Sequence, residues 1–164
     1  MENFQAETFI TDRIPHRPPF LWLDRVLELT ADSIRAEKTI SPDLDIFQGH
    51  YPDYPLMPGV LLCESVFQAG ALLIGHLQDG ETAPQERLTG GMPVLARILG
   101  AKFKREVRPG DTIELHVRLK ERLGPAWILK GSVLVHGLVA VQVEFSCVLK
   151  ATGQVTMTDE AESK

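Results

Sequence analysis

The stretch that decides the fold of this 164-residue chain is FQGHYPDYPLMPGVLLCESVFQ, residues 47–68. It places His50 in a loop bounded by glycine and proline, and it then predicts a helix start at Pro58. Proline suits the first helical turn because the N–H that it lacks has no partner there. From Val60 to Leu77 the residues are apolar on almost every face, which predicts a helix buried in the core.

Glu64 stands inside this apolar helix, where a carboxylate is costly unless it is paired, hydrogen-bonded or protonated. Gln68 lies one turn later on the same helical face, so its amide can orient the carboxyl group without neutralising it. We therefore expect a functional reason for the presence of Glu64.

The composition is that of one globular domain, which we place at residues 1–152, followed by a polar tail at residues 153–164. Hydrophobic residues make up 44% of the chain and the formal net charge is −5, which argues against nucleic-acid binding. The N-terminus has no signal-peptide layout, and polar residues interrupt the long apolar helix. These features predict a soluble cytoplasmic protein without a membrane partner.

The two cysteines, Cys63 and Cys147, are typical of small core residues in a reducing compartment. A nucleophilic Cys63 activated by His50 is a weaker alternative, because nothing nearby in the sequence marks that thiol as activated.

One local segment is basic although the chain as a whole is acidic. Residues 97–108 carry five basic side chains against one acidic side chain, a local net charge of +4. The segment is either a solvated strand face or a docking surface for an acidic partner.

The rest of the pattern is strand-rich. Residues 6–13 could form a short helix, whereas residues 20–29 and 33–40 read as strands, and residues 78–91 as a polar connection. Strict alternation over residues 113–120 and 139–149 predicts half-buried strands. We therefore expect an α+β fold in which an antiparallel sheet of about six strands wraps around one long buried helix.

Several linked motifs resemble the β-hydroxyacyl-acyl-carrier-protein dehydratases of fatty-acid synthesis. PHRPPFLWLDRV at residues 15–26 is similar to their opening signature, and KFKREVRPGD at residues 102–111 to their third. GHYP at residues 49–52 and MPGVL at residues 57–61, with Glu64 and Gln68, resemble their catalytic core. The likeness spans residues 14–150 with matching order and spacing.

The resemblance implies a hot-dog fold that works as a homodimer, which can assemble further into a trimer of dimers. It implies an active site in which His50 comes from one subunit and Glu64 from its partner. The implied reaction converts a 3-hydroxyacyl thioester into a trans-2-enoyl thioester, with His50 as base and Glu64 as acid. The backbone N–H of Gly59 is expected to meet the developing oxyanion, and Gln68 to support the carboxyl group.

The same resemblance suggests where the substrate and its carrier would bind. The acidic acyl carrier protein would dock on the basic segment through Arg97, Lys102, Lys104, Arg105 and Arg108. The acyl chain would follow a tunnel walled by Leu62, Phe67, Leu95 and Ile98, although core packing is the more frequent role of such residues. No metal or other cofactor is expected, because the oxyanion donor and the thioester can carry the developing charge.

Departures from the family pattern leave the choice of substrate open. Asp53 and Tyr54 stand where a glycine and a basic residue are usual, and Tyr51 replaces a phenylalanine. Two other functions remain: a hot-dog acyl thioesterase, whose Asp-x-x-Gly-His signature is absent, and a non-catalytic subunit that binds acyl groups or the carrier. We expect His16 to order its loop rather than to take part in chemistry.

Overall fold

A computed structural model of the chain describes residues 8–79 and 91–150. Its single long helix, α1, spans Gly59–Asp79 and lies in the core, as the apolar pattern predicts. The helix starts directly after Pro58, whose carbonyl accepts hydrogen bonds from the N–H groups of Leu61 and Leu62. By length and composition Gly59–Gln78 could cross a membrane, but 67% of that stretch is buried inside the fold, as in the core helix of a soluble protein.

Within the described residues, six strands form one antiparallel sheet. They are β1 (Arg25–Leu29), β2 (Ser33–Thr39), β3 (Met92–Phe103), β4 (Thr112–Leu123), β5 (Ala126–Val135) and β6 (Leu138–Lys150). Their order across the sheet is β1-β2-β4-β5-β6-β3. Strand β3 therefore forms one edge of the sheet and pairs only with β6, while the five-residue strand β1 forms the other edge.

The core lies between α1 and the concave face of the sheet. Alternate residues of β4, β5 and β6 are buried, which follows from the period of two along a strand. The ring of Phe145 packs against the ring of Phe67 from the helix at a centroid distance of 4.7 Å. The predicted α+β architecture, with a sheet wrapped around one helix, is confirmed.

The segment that precedes β1 differs from the prediction. Residues 8–13 form hydrogen-bonded turns rather than a helix, and β1 begins at Arg25 instead of at Phe20. Pro15, Pro18 and Pro19 have no backbone N–H to donate to a helix or to a neighbouring strand, so this segment forms no regular secondary structure. The loop before α1 also contains a short 3-10 helix, Asp45–Gln48, which sequence patterning did not predict.

Two expectations fall on residues that lie outside the described ranges. They are the polar tail at residues 153–164 and most of the connection at residues 78–91.

Candidate active site

His50 is held in place by two hydrogen bonds. Its backbone N–H donates to the carbonyl of Ile46 at 2.8 Å, which ties the residue to the 3-10 helix. Its ring atom Nδ1 lies 2.8 Å from the carbonyl oxygen of Leu56. Because a carbonyl oxygen can only accept, Nδ1 must carry the proton, and the neutral ring then presents Nε2 as a free proton acceptor.

The residue after His50 has an unusual backbone. Tyr51 has a φ of 54°, in the left-handed region that a non-glycine residue rarely adopts. Such a conformation costs roughly 1–3 kcal/mol and is found where the surrounding structure requires it. Here it brings the exposed Tyr51 ring edge-on to the His50 imidazole, with the centroids 4.7 Å apart.

Glu64 lies in the second turn of α1 and is joined to Gln68 as the spacing predicts. The Gln68 amide donates from Nε2 to Oε1 of Glu64 at 3.0 Å and to the carbonyl of Phe20 at 2.9 Å. Its Oε1 accepts the N–H of Trp22 at 2.8 Å, which fixes the orientation of the amide. Gln68 is 1% exposed, so this network anchors the carboxyl group from within the core.

A further contact on Glu64 was not predicted. Nε2 of His16 lies 3.5 Å from Oε1 of Glu64, on the same oxygen that Gln68 contacts. The only sequence signal was the position of His16 in the PHRPPF segment, which we interpreted as loop-ordering.

The start of α1 borders a cavity. Within residues 8–79 and 91–150, no carbonyl or side chain accepts the N–H of Gly59. A cavity of about 500 Å³ opens beside it and is lined by Leu56, Met57, Gly59, Val60, Leu62, Phe103, Lys104, Arg105 and Glu106. A free N–H at a helix start is suited to stabilise negative charge on a bound group.

A single chain does not bring all the predicted site residues together. No hydrogen bond or ion pair joins His50 to Glu64 within the part of the chain that the structure describes. Of the predicted tunnel residues, Leu62 and Phe67 are buried in the core, whereas Leu95 and Ile98 are 40% and 54% exposed on β3. Only Leu62 lines the cavity beside Gly59.

The five basic residues predicted for docking are all exposed, but they are not equivalent. Arg108 contacts Glu106 at 3.0 Å and also donates to the Tyr54 hydroxyl. The hydrogen bonds from Arg108 and Tyr54 hold the pKa of Glu106 below its usual value. Arg105 donates to the carbonyl of Val139.

The other three docking residues make no ion pair among the described residues. They are Arg97, Lys102 and Lys104. Their charges, and that of Arg105, whose contact is with a backbone carbonyl and not with a carboxylate, are therefore the ones available to an acidic partner.

The two thiols are buried and held in their protonated form. Burial raises the pKa of Cys63, which opposes the alternative in which this thiol is a nucleophile. Burial, together with the nearby charge of Glu64, raises the pKa of Cys147 to about 12. Within the described residues, no group of three or more His, Cys, Asp or Glu side chains is placed to hold a metal ion.

A long helix wrapped by a six-stranded antiparallel sheet defines the class of hot-dog proteins. Solved structures share this fold, including the dehydratase heterocomplex ApeI:P from Xenorhabdus doucetiae, with a TM-score of 0.69 at 16% identity. That alignment covers 87% of this chain and 91% of the other. A hypothetical thioesterase with coenzyme A from Streptococcus pneumoniae matches with a TM-score of 0.59 at 10% identity, covering 77% and 87% of the two chains. At these identities the likeness establishes the fold alone.

The sequence narrows the class to one family. The profile of the FabA-like domain matches residues 14–144, and the chain belongs to that family.

Several curated relatives bear the name 3-hydroxyacyl-(acyl-carrier-protein) dehydratase FabZ. The protein from Polynucleobacter asymbioticus is 40% identical over 88% of this chain and 92% of its own length. The protein from Oceanobacillus iheyensis is 36% identical over 86% of this chain and 96% of its own length. The resemblance found in the motifs is confirmed by these matches.

Proposed function

We propose that this protein is an enzyme that dehydrates 3-hydroxyacyl thioesters, carried on acyl carrier protein, to trans-2-enoyl thioesters in fatty-acid synthesis. The observation that carries the proposal is the hydrogen bond from His50 Nδ1 to the Leu56 carbonyl, which leaves Nε2 as the ring atom that can act as a base. The dehydratase names of the relatives support the same reaction.

The chemistry needs one proton removed and one delivered. Nε2 of His50 takes the α-proton, and the electron pair of that C–H bond moves toward the thioester carbonyl. The N–H of Gly59 donates to the resulting oxyanion, aided by the positive end of the helix dipole. Loss of the donor would cost about 3 kcal/mol of barrier.

Glu64 completes the elimination as the acid. Its carboxyl group donates a proton to the β-hydroxyl while the C–O bond breaks, so that water and the enoyl thioester leave together. His50 is then protonated and Glu64 ionised, and a proton passing between them through solvent restores the starting state. Neither step calls for a cofactor, and we propose that the enzyme uses none.

We infer that the working unit is a homodimer. Within the described chain β3 pairs on one side only, yet it is twelve residues long and exposes apolar side chains at Leu95, Ile98, Leu99 and Phe103. A long apolar edge strand is a template for pairing with another chain. No hydrogen bond or ion pair joins His50 to Glu64 within the described chain, and we propose that a second copy on this edge supplies the acid to each His50 from across the interface.

The proposal also covers the docking of the carrier, the extent of the domain and its location in the cell. We propose that residues 97–108 receive acyl carrier protein, and that residues 1–152 act as one domain in the cytoplasm. Leu62 already lines the cavity beside Gly59, and we propose that Phe67, Leu95 and Ile98 join the acyl site once the second copy covers β3.

The test is the hydration of a trans-2-enoyl thioester, followed by loss of enoyl absorbance with free thiol monitored in parallel. His50→Ala and Glu64→Gln should each lower the rate by about 10²–10⁴-fold, the range of general acid–base catalysis. His136→Ala is the control, since that side chain is 76% exposed and lies outside the site.

Each alternative function predicts a different result. Thiol release by the wild-type protein would identify a thioesterase. Carrier binding without turnover, unaffected by either substitution, would identify a non-catalytic subunit.

A further inference from the structure

We propose that His16 is a positioning residue for Glu64, an assignment that rests on the proposed dehydratase function. Two elements converge on the Glu64 carboxyl group: Gln68 from its own helix and His16 from the irregular segment before β1. Both contact the same oxygen, Oε1.

The state of the His16 ring follows from its surroundings. Its Nδ1 atom is buried and has no hydrogen-bond partner among the residues that the structure describes. A buried N–H without an acceptor costs about 1–3 kcal/mol, so the proton belongs on Nε2. The ring is then neutral, and the nitrogen beside Oε1 of Glu64 is the one that carries the proton.

The separation of 3.5 Å is longer than the 2.7–3.2 Å of a formed N–H···O bond. Hydrogen bonds in unliganded active sites are often long and shorten when substrate binds. We infer that this contact closes in the substrate complex.

The ring of His16 is itself held by its own segment. It stacks on the ring of Phe20 at a centroid distance of 6.3 Å, and the guanidinium of Arg17 donates to the His16 carbonyl at 2.7 Å. The Phe20 carbonyl in turn accepts from Gln68. The segment and the helix therefore share one network around the carboxyl group.

The consequence for catalysis concerns which oxygen of Glu64 reacts. An oxygen that accepts two N–H donors has used both lone pairs and cannot also carry the acidic proton. Once the His16 contact closes, Gln68 and His16 together occupy Oε1, and the proton must reside on Oε2. His16 thus directs the acid toward the substrate without touching it.

The kinetic test compares two substitutions of His16. His16→Gln keeps an amide donor near the position of Nε2, whereas His16→Phe keeps the stacking on Phe20 and removes the donor. We expect His16→Phe to lower kcat about 5- to 100-fold at an unchanged KM, the range for loss of one partner of a buried hydrogen bond. His16→Gln should stay within about threefold of the wild type.

A double-mutant cycle separates this role from loop ordering. In a Glu64→Gln background, His16→Phe should leave the residual rate unchanged, because the group that it positions is gone. Equal losses in both backgrounds, or equal losses for His16→Phe and His16→Gln, would overturn the proposal.

The tautomer of His16 can be measured by NMR without any enzyme turnover. Long-range ¹H–¹⁵N spectra report which ring nitrogen of each histidine is protonated, and single-histidine variants assign the signals. We expect Nε2–H for His16 and Nδ1–H for His50, with the His16 signal shifted by Glu64→Gln. An Nδ1–H tautomer for His16 refutes the proposal.

The activity assay and the tautomer measurement together distinguish a failure of the proposed function from a failure of the His16 proposal. Wild-type inactivity with the expected tautomers refutes the dehydratase function and leaves the His16–Glu64 contact standing. Normal turnover by His16→Phe refutes the positioning role alone.

Discussion

Gln68 shows how one buried amide can serve both stability and the site. Its three hydrogen bonds reach the backbone at Phe20 and Trp22 and the carboxyl group of Glu64. An amide satisfies a backbone donor and a backbone acceptor at once, which a second carboxylate could not do beside Glu64. The sequence placed Gln68 near Glu64, but its two backbone contacts come from residues more than 40 positions away.

Replacement of Gln68 by leucine should therefore destabilise the fold. Gln68→Leu leaves the N–H of Trp22 without a partner in a buried place, and we expect a loss of about 3 kcal/mol in the free energy of unfolding. Urea denaturation measures it. Gln48→Leu is the control, since Gln48 is exposed, and it should change stability by less than about 0.5 kcal/mol. A loss no larger than that of the control would contradict the anchoring role.

At the scale of elements, the packing of α1 on the sheet depends on small residues at close approaches. A Cβ added at Gly131 of β5 would lie 2.2 Å from Cγ1 of Val66 on the helix. Gly131 lies in the middle of β5, and Val66 is fully buried. The helix can approach the sheet this closely only because position 131 carries no side chain.

Gly131→Ala should thus cost about 1–3 kcal/mol of stability through overpacking. In a Val66→Ala background the same substitution should cost little, because the clashing methyl group is absent. Gly75→Ala is a matched control within α1: nothing lies within 4 Å of its added Cβ, and alanine is the better helix former by about 1 kcal/mol. Additive losses in the double variant, measured by thermal unfolding, would show that Val66 is not the contact.

At the scale of the whole molecule, we expect the exposed edge strand β3 to form the proposed dimer interface. Ile98→Asp should leave the single chain folded, because Ile98 is 54% exposed there, but it should yield monomers with little activity. Light scattering and the hydration assay measure the two effects. Leu123→Asp is matched in exposure, at 56%, and lies on the interior strand β4, so it should remain dimeric and active. A dimeric Ile98→Asp variant would place the interface elsewhere.

The basic segment, residues 97–108, which begins within β3, should act by speeding the encounter with the carrier. Lys102→Glu combined with Lys104→Glu should raise KM for carrier-borne substrate several-fold and leave turnover of the neutral pantetheine thioester unchanged. Added salt should reduce the difference, since the Debye length is about 10 Å at 0.1 M. Lys130→Glu on β5 is the control; it changes the charge by −2 per chain, half the change of the double variant, and should affect neither substrate. Equal effects on both substrates would assign the lysines to the acyl site instead.

The sequence by itself determined the buried helix, the alternating strands and the Glu64–Gln68 pair. These features depend on local spacing: 3.6 residues per helical turn and two per strand repeat. The loop around His50 and the helix start at Gly59 could also be predicted from the sequence, because each is specified by residues that are neighbours along the chain.

Only the tertiary structure decided the contacts made over long stretches of chain. It brought the segment before β1 onto Gln68 and placed His16 on Glu64, 48 residues away. It also left β3 as the exposed edge, because β3 pairs with β6 rather than with its neighbours in the sequence. Such contacts follow from the path of the sheet around the helix, which no local pattern of residues specifies.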